Sequence, residues 1–294
     1  MVIVKIKEGL GNQLFQYAAG RGLAQQLGTE LMLDTSFYEA KGRYSRAHVR
    51  QYHLDKFNIT VPMLSRRTKY WIGQLRRHRS TPVRALTHMS GIIRFEVDKE
   101  CGFDETLQHK GRNLYLDGYW QSERYFADIR ETVREELSFR EPTGPDLEPM
   151  LAQLNEKVSV CVHIRRGDYI STAIGREQHA ICDLDYYRTA MDHIGARVPG
   201  AKFFLFSDEP EWVQSNFSAA DNLVIVSGTA SRRDIDDFRL MTSCRHFVIA
   251  NSSFSWWAAW LGKQKDKIVV APKLWRRFHE QMDKAIIPEQ WVRL

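Results

Sequence analysis

At 294 residues, with 43% hydrophobic and 27% charged side chains, the chain has the make-up of a soluble globular protein and room for one large domain or two of ordinary size. No stretch reaches the roughly 18 apolar residues of a membrane helix, and the opening MVIVKIKEGL is no signal peptide, since its apolar run is short and broken by lysines, so a cytoplasmic protein is expected. The formal charge of +6 at pH 7 favours an anionic partner, and the four cysteines (Cys101, Cys161, Cys182, Cys244) have neither zinc spacing nor a C-x-x-C pair, which suits buried small hydrophobes better than disulfides.

Val2–Ile6 reads as a strand, Gly9–Gly11 as a turn, Leu14–Leu27 as a helix and Leu31–Leu33 as a second strand. From about Thr35 to Lys110 the pattern is less regular. Inside that region, Ser65 to Phe95 holds eight cations (Arg66, Arg67, Lys69, Arg76, Arg77, Arg79, Arg84, Arg94) and no acid, with Tyr70, Trp71, Ile72 and Leu75 interleaved. A basic amphipathic helix of this kind fits peripheral contact with an anionic membrane surface through residues 65–95. It fits equally a solvated helix whose apolar stripe packs on the core. Nucleic-acid binding would rest on this segment alone, and none is expected. Leu114–Tyr119 reads as a further strand.

A boundary is expected near residues 142–155, through Pro142, Gly144 and Pro145, giving domains 1–150 and 151–294 with a C-terminal tail free to pack back on the first. Beyond it the alternation is clean. Strands are read at Val158–Ile164, Phe203–Phe206, Leu223–Val226, Phe247–Ala250 and Ile268–Val270. Helices are read between them at Leu184–Val198, Glu209–Phe217, Asp234–Ser243 and Phe254–Leu261. Strands alternating with helices of this length give a parallel sheet covered on both faces. The expected class is α/β, as two Rossmann-like halves facing across a cleft.

Three segments carry chemistry. In VHIRRGDY the strand ends in Arg165 and Arg166, followed by Gly167 and Asp168. Ligands of α/β folds bind at the carboxyl ends of parallel strands, and the arginine fork matches phosphate oxygens, so a nucleoside diphosphate is the expected ligand. A surface strand end with solvated charges has the same local pattern. His163 could contact ribose or base. Asp168 could orient Arg165, act as a base, or be a structural partner of one arginine. In GLGNQLFQYAAGR a glycine turn lets a ligand approach the backbone, and Asn12 and Gln13 would put amides there. The segment is neither G-x-G-x-x-G nor a P-loop, and an ordinary tight turn reads the same. In ANSSFSWWAAWLG a strand runs into Asn251, Ser252 and Ser253 at a helix start, an arrangement that binds anions. Trp256, Trp257 and Trp260 read as core. The acidic clusters Asp183–Asp185 and Asp234–Asp237 fall at helix starts, where acids complement the dipole, and no metal site is read from them.

Together these segments resemble the α-1,2-fucosyltransferases, glycosyltransferase family 11. The family's ordered motifs match Gly9–Ala18, Gly118–Glu123 (GYWQSE), His163–Tyr169 and Asn251–Trp257, across nearly the whole chain. The resemblance implies a GT-B type fold, GDP-β-L-fucose as donor, inversion, no metal requirement, and transfer to the 2-hydroxyl of a terminal β-galactoside. Lacking the membrane anchor of animal members, the chain is similar to bacterial ones that build O-antigen or host-mimicking glycans at the inner face of the plasma membrane. Carried over by position, it places Arg165 on the β-phosphate, Arg166 as a structural or secondary contact, and His163 beside the nucleoside. Ser253 and Ser255, with the neighbouring Asn251 and Ser252, would cradle phosphate, and Asp237 would accept hydrogen bonds from guanine. Asn12 and Gln13 would face fucose and acceptor, with Tyr119, Trp120 and Gln121 on the acceptor side.

Cleavage of the donor leaves charge on the departing diphosphate, which fixed cationic donors must stabilise. A base should take the acceptor's proton. Asp168 and His179 are the candidates, and attack with Asn12 only positioning the hydroxyl stays open. The rival readings are a GDP-fucose enzyme of another linkage and a non-catalytic nucleotide-sugar or glycan-binding protein.

Overall fold

The computed structural model describes residues 1–39, 50–77, 93–98, 102–156, 158–172, 175, 182–217, 221–227, 233–276 and 280–294. The chain divides into two units, Met1–Glu141 and Pro142–Leu294. Past Pro142, Glu148–Glu156 forms a helix that buries Leu154 and contacts the strand beginning at Val158.

Among its described residues the first unit holds four parallel strands, β1 (Val2–Lys5), β2 (Leu31–Asp34), β3 (Arg94–Val97) and β4 (Leu114–Asp117), in the order β2-β1-β4-β3. Its helices are α1 (Leu10–Gln26), α2 (Ser36–Glu39), α3 (Arg66–Arg77) and α4 (Arg130–Glu136). The central strands are continuous apolar runs, as a sheet covered on both faces requires. On one face α1 lies so close that a Cβ at Gly20 would sit 2.2 Å from Val4 Cγ2, and one at Gly22 only 2.0 Å from the Tyr125 carbonyl oxygen. On the other, Ile3 and Tyr115 pack with Leu64, Ile93 and Ile72 of α3.

Among its described residues the second unit holds six parallel strands, β5 (Val158–Ile164), β6 (Ala201–Ser207), β7 (Leu223–Ile225), β8 (His246–Val248), β9 (Val269–Ala271) and β10 (Val292–Arg293), in the order β10-β9-β8-β5-β6-β7. Its helices are α5 (Glu148–Glu156), α6 (Gly167–Ser171), α7 (Leu184–Gly195), α8 (Pro210–Asn216), α9 (Asp234–Thr242), α10 (Ser253–Leu261) and α11 (Glu280–Ile286). From β5 the chain steps outward to β6 and β7, returns to β8 beside β5, and steps the other way to β9 and β10. This is the doubly wound Rossmann order, with its switch point between β5 and β8, where such sheets bind ligands. Val160, Val162 and Ile164 pack against Tyr187, Ala190 and Ile194 of α7. On the opposite face the His163 and Phe254 rings lie 5.7 Å apart, and Phe254 lies 5.1 Å from Phe238 of α9.

One expectation is corrected. Gly11 is not a turn residue: α1 starts at Leu10, because Gly9 is extended (φ −77, ψ 169) and the turn is made one residue earlier by Glu8 at φ 66. At the C-terminus of the second unit β10 pairs with β9, and the Leu294 N–H donates to Ala271 O.

Candidate active site

The switch point of the second sheet gathers two of the three segments singled out from sequence. Arg165 leaves the end of β5 with Nη1 2.9 Å from Asp208 Oδ2, at the end of β6, and its guanidinium 5.6 Å from the Tyr169 ring. Asp208 also accepts the Arg166 backbone N–H at 3.1 Å. A Cβ at Gly167 would lie 2.5 Å from the same carboxylate, so glycine is what lets the loop close on it. Arg166 turns aside, pairing with Glu209 at 3.0 Å and stacking 3.9 Å over Trp212, which makes it a structural cation. Arg165 keeps about a quarter of its side chain exposed (24%), enough to meet a ligand while Asp208 fixes its direction.

Across the switch point, Tyr169 donates its hydroxyl to Asn251 O at 3.0 Å and stitches the two motifs together. Helix α10 begins there. The residue before it, the N-cap Ser252, is extended and makes no side-chain cap, and the first turn holds no acid. The first N–H groups of a helix have no intrahelical acceptor, and with the dipole they form an anion site. The other expected donors divide. Ser253 lies in that first turn. The Ser255 hydroxyl is buried and donates to Ser252 O at 3.2 Å, and Asn251 Nδ2 donates to Trp275 O at 3.0 Å, so these two side chains hold the scaffold rather than face a ligand. Trp256, Trp257 and Trp260 are buried core.

His163 is buried, and its Nδ1 has no hydrogen-bond partner among the described residues. Burial first, then the neighbouring Arg165 charge, push its pKa down to about 3, so the ring is neutral at physiological pH and can exchange a hydrogen bond with an uncharged polar group. On the same face Asp237 accepts the Ser227 hydroxyl at 2.9 Å, and Ser227 in turn accepts the Ser207 N–H at 3.0 Å. This fixes a carboxylate near the ends of β6 and β7. Of the acidic clusters, Asp183 caps α7 by accepting the Tyr186 N–H at 2.8 Å, and Asp236 pairs with Arg233.

In the first unit the GLGNQ and GYWQSE segments meet where β1 and β4 end side by side. Gln121 Nε2 donates to Asn12 Oδ1 at 2.7 Å. Two non-glycine residues here have left-handed backbones, Glu8 (φ 66) and Trp120 (φ 54), a conformation that costs energy and clusters at functional sites. Each is held in place. Glu8 O accepts the Gln13 amide at 2.9 Å and the Tyr38 hydroxyl at 2.8 Å. Asp98 Oδ2 accepts the Tyr119 and Trp120 N–H groups at 3.3 and 2.9 Å, and a Cβ at Gly118 would fall 2.1 Å from Asp98 Cβ. Tyr119 lies under the Lys7 ammonium, 5.0 Å from its ring centroid. Gln13 departs from expectation: its buried amide is spent on Glu8 O, Gln51 O and the His53 N–H, pinning the 50–53 segment instead of facing a substrate. His179 and the Asp168 side chain lie outside the described residues, so the two candidate bases stay as sequence readings.

The glycosyl transferase family 11 profile matches residues 1–294, the whole chain. The chain belongs to that family. Among relatives of this glycosyltransferase, an Escherichia coli alpha-1,2-colitosyltransferase is 30% identical over 100% of this chain and 99% of its own length. The E. coli O-antigen biosynthesis glycosyltransferase WbnK is also 30% identical, over 97% and 98%. Human galactoside alpha-(1,2)-fucosyltransferase 1 is 27% identical over 85% of this chain and 62% of its own length. A mutant of Arabidopsis thaliana FUT1 solved with GDP aligns with a TM-score of 0.52 at 11% identity, over 95% of this chain and 74% of that one, a likeness of fold. Two parallel-sheet α/β units are the make-up of the GT-B type, as expected from the sequence.

Sequence reading of this family 11 chain missed Asp208 and Asp98. Each is an acid just past a strand end, outside any motif. The available signal was that a tandem arginine at one strand end calls for a carboxylate at the next.

Proposed function

We propose that this family 11 glycosyltransferase moves a 6-deoxy-hexose of the L-fucose type from its GDP ester to the 2-hydroxyl of a terminal β-galactoside, with inversion at the anomeric carbon. The observation that carries the reading is Arg165, aimed by Asp208 at the switch point beside the uncapped start of α10. A cation and a helix N-terminus at one point suit a departing diphosphate, whose charge grows in the transition state. His163 serves the nucleoside, and Asp237 accepts guanine N–H groups. The second unit is thus assigned the donor and the first the acceptor, through Asn12, Tyr119, Trp120 and Gln121. The sugar passes through an oxocarbenium-like state, its anomeric C–O bond to phosphate breaking as the acceptor oxygen bonds from the opposite face. The acceptor proton leaves to Asp168, to His179, or to solvent with Asn12 orienting the hydroxyl. No metal is required, and the acceptor is an O-antigen or related glycan.

The test is transfer from GDP-fucose to lactose in EDTA, with the product linkage read by NMR. An α-1,2-fucosylated lactose is expected. GDP release without transfer would place the error in the acceptor, and no turnover of GDP-fucose would overturn the donor.

A second donor is favoured by one observation, the full-length similarity to a colitosyltransferase. Colitose is L-fucose without its 3-hydroxyl. A site that hydrogen-bonds that hydroxyl rejects the deoxy sugar by about 10⁴-fold, whereas an apolar lining there accepts it. Comparing kcat/KM for GDP-fucose and GDP-colitose decides between them: a strong preference for the deoxy donor makes the chain a colitosyltransferase.

A further inference from the structure

Helix α3 breaks two local rules at once. Helix N-termini favour acids, yet its first two residues are Arg66 and Arg67, and its twelve residues (RRTKYWIGQLRR) contain five cations and no acid. Large hydrophobic side chains belong inside, yet Tyr70 and Trp71 are 60% and 57% exposed, and Met63 just before the helix is 49% exposed. Among the described residues only Val97 and Leu274 join them as exposed large hydrophobics, so two of the five lie on this helix and a third lies just before it.

The sides of α3 are sorted. Ile72 enters the core with Leu64 and Ile93, anchoring the helix. Lys69 turns to Glu39 at 2.5 Å and Thr35 at 2.8 Å. The Ser65 hydroxyl accepts the Thr68 N–H at 3.1 Å, so the helix start is capped and its geometry fixed. What remains outward is Met63, Arg66, Arg67, Tyr70 and Trp71, all exposed, with the Tyr70 and Trp71 rings packed edge to face at 5.7 Å.

We propose that this face binds an anionic membrane surface. The charge complementarity is one-sided: the helix dipole and the arginines add at the same end, and no acid on the helix offsets them. Tyrosine and tryptophan are the side chains that settle at the headgroup level, with arginines reaching the phosphates beside them. The inference rests on α3 and not on the sugar assignment. It would bring the enzyme to acceptors carried on a lipid.

The test is co-sedimentation of the full chain with vesicles of phosphatidylglycerol and phosphatidylcholine, against phosphatidylcholine alone and a single-stranded oligonucleotide. Partition onto the anionic vesicles, weakening with salt, is expected. R66A/R67A should weaken it about fivefold for each arginine removed, and Y70A/W71A should abolish insertion into anionic vesicles. All four side chains are exposed, so thermal melting and turnover of a soluble acceptor should match the parent. No partition, equal partition onto neutral vesicles, partition unchanged in both variants, or tight oligonucleotide binding in its place would each overturn the proposal.

Discussion

Arg165 is aimed rather than merely present. Asp208 accepts from one edge of its fork at 2.9 Å, and about a quarter of the side chain stays exposed to meet a ligand. Losing a preorganised donor to developing charge costs about 2.7–4 kcal/mol. Arg165→Ala should therefore lower kcat/KM for the donor by about 10²–10³-fold, and Arg165→Lys should recover only part of it, because a point charge cannot replace the fork. Near-parental kcat/KM in Arg165→Ala would remove Arg165 from the site. His163 gives a prediction about stability. Its folded pKa is about 3, depressed by burial and by Arg165, against about 6.5 in an unfolded chain. Between those values the unfolded state binds a proton the native state refuses, so stability is complete above about pH 6.5 and falls with acid by about 1.4 kcal/mol per pH unit. Denaturant unfolding at several pH values should show this slope in the parent and not in His163→Asn. Equal slopes would mean the ring is not held neutral.

The loop after β4, assigned above to the acceptor, depends on a carboxylate no motif announced. Asp98 holds two backbone N–H groups of the loop after β4 and keeps Trp120 at φ 54. Leaving such groups unsatisfied costs about 1–3 kcal/mol, so Asp98→Ala should cut acceptor kcat/KM by about ten- to a hundredfold while GDP-fucose hydrolysis continues. A matching loss of hydrolysis would show that the loop serves the donor instead. Such carboxylates, and some strands, were hard to read for physical reasons. The strands β5, β6 and β8 are buried apolar runs between helices of clear period, and they were legible. In β3, RFEV puts Arg94 and Glu96 on a strand that, among the described residues, pairs with β4 alone, so it shows no apolar run. Helix α5 follows Pro142, Gly144 and Pro145, which read as linker until the turn after them resolves into EPMLAQLNE. Gln13 looked like a site amide because spacing shows that a polar group follows a glycine turn, but not which backbone groups it must satisfy.

For the whole molecule, the decisive fact is strand order, which no sequence period encodes. Periodicity predicted alternating elements, but only the return of the chain to β8 beside β5 puts HIRRGDY and NSSFSWW at one switch point, joined by Tyr169 and Asn251 O. All the proposed donor groups therefore belong to one unit: Arg165 and His163 from β5, Asp208 after β6, Asp237 on α9 and the start of α10. A ligand held by one unit stabilises that unit, by about 2.7 kcal/mol when it exceeds its Kd a hundredfold. GDP without sugar should accordingly slow amide hydrogen exchange around residues 163–170, 207–208 and 252–256, and do so equally in EDTA. Amides of Gly9–Gln13 and Gly118–Gln121 should respond only when an acceptor galactoside is added as well. Protection by GDP alone at Gly9–Gln13, as strong as at Arg165, would break the division of labour between the two sheets, and protection lost in EDTA would mean that a cation completes the diphosphate site.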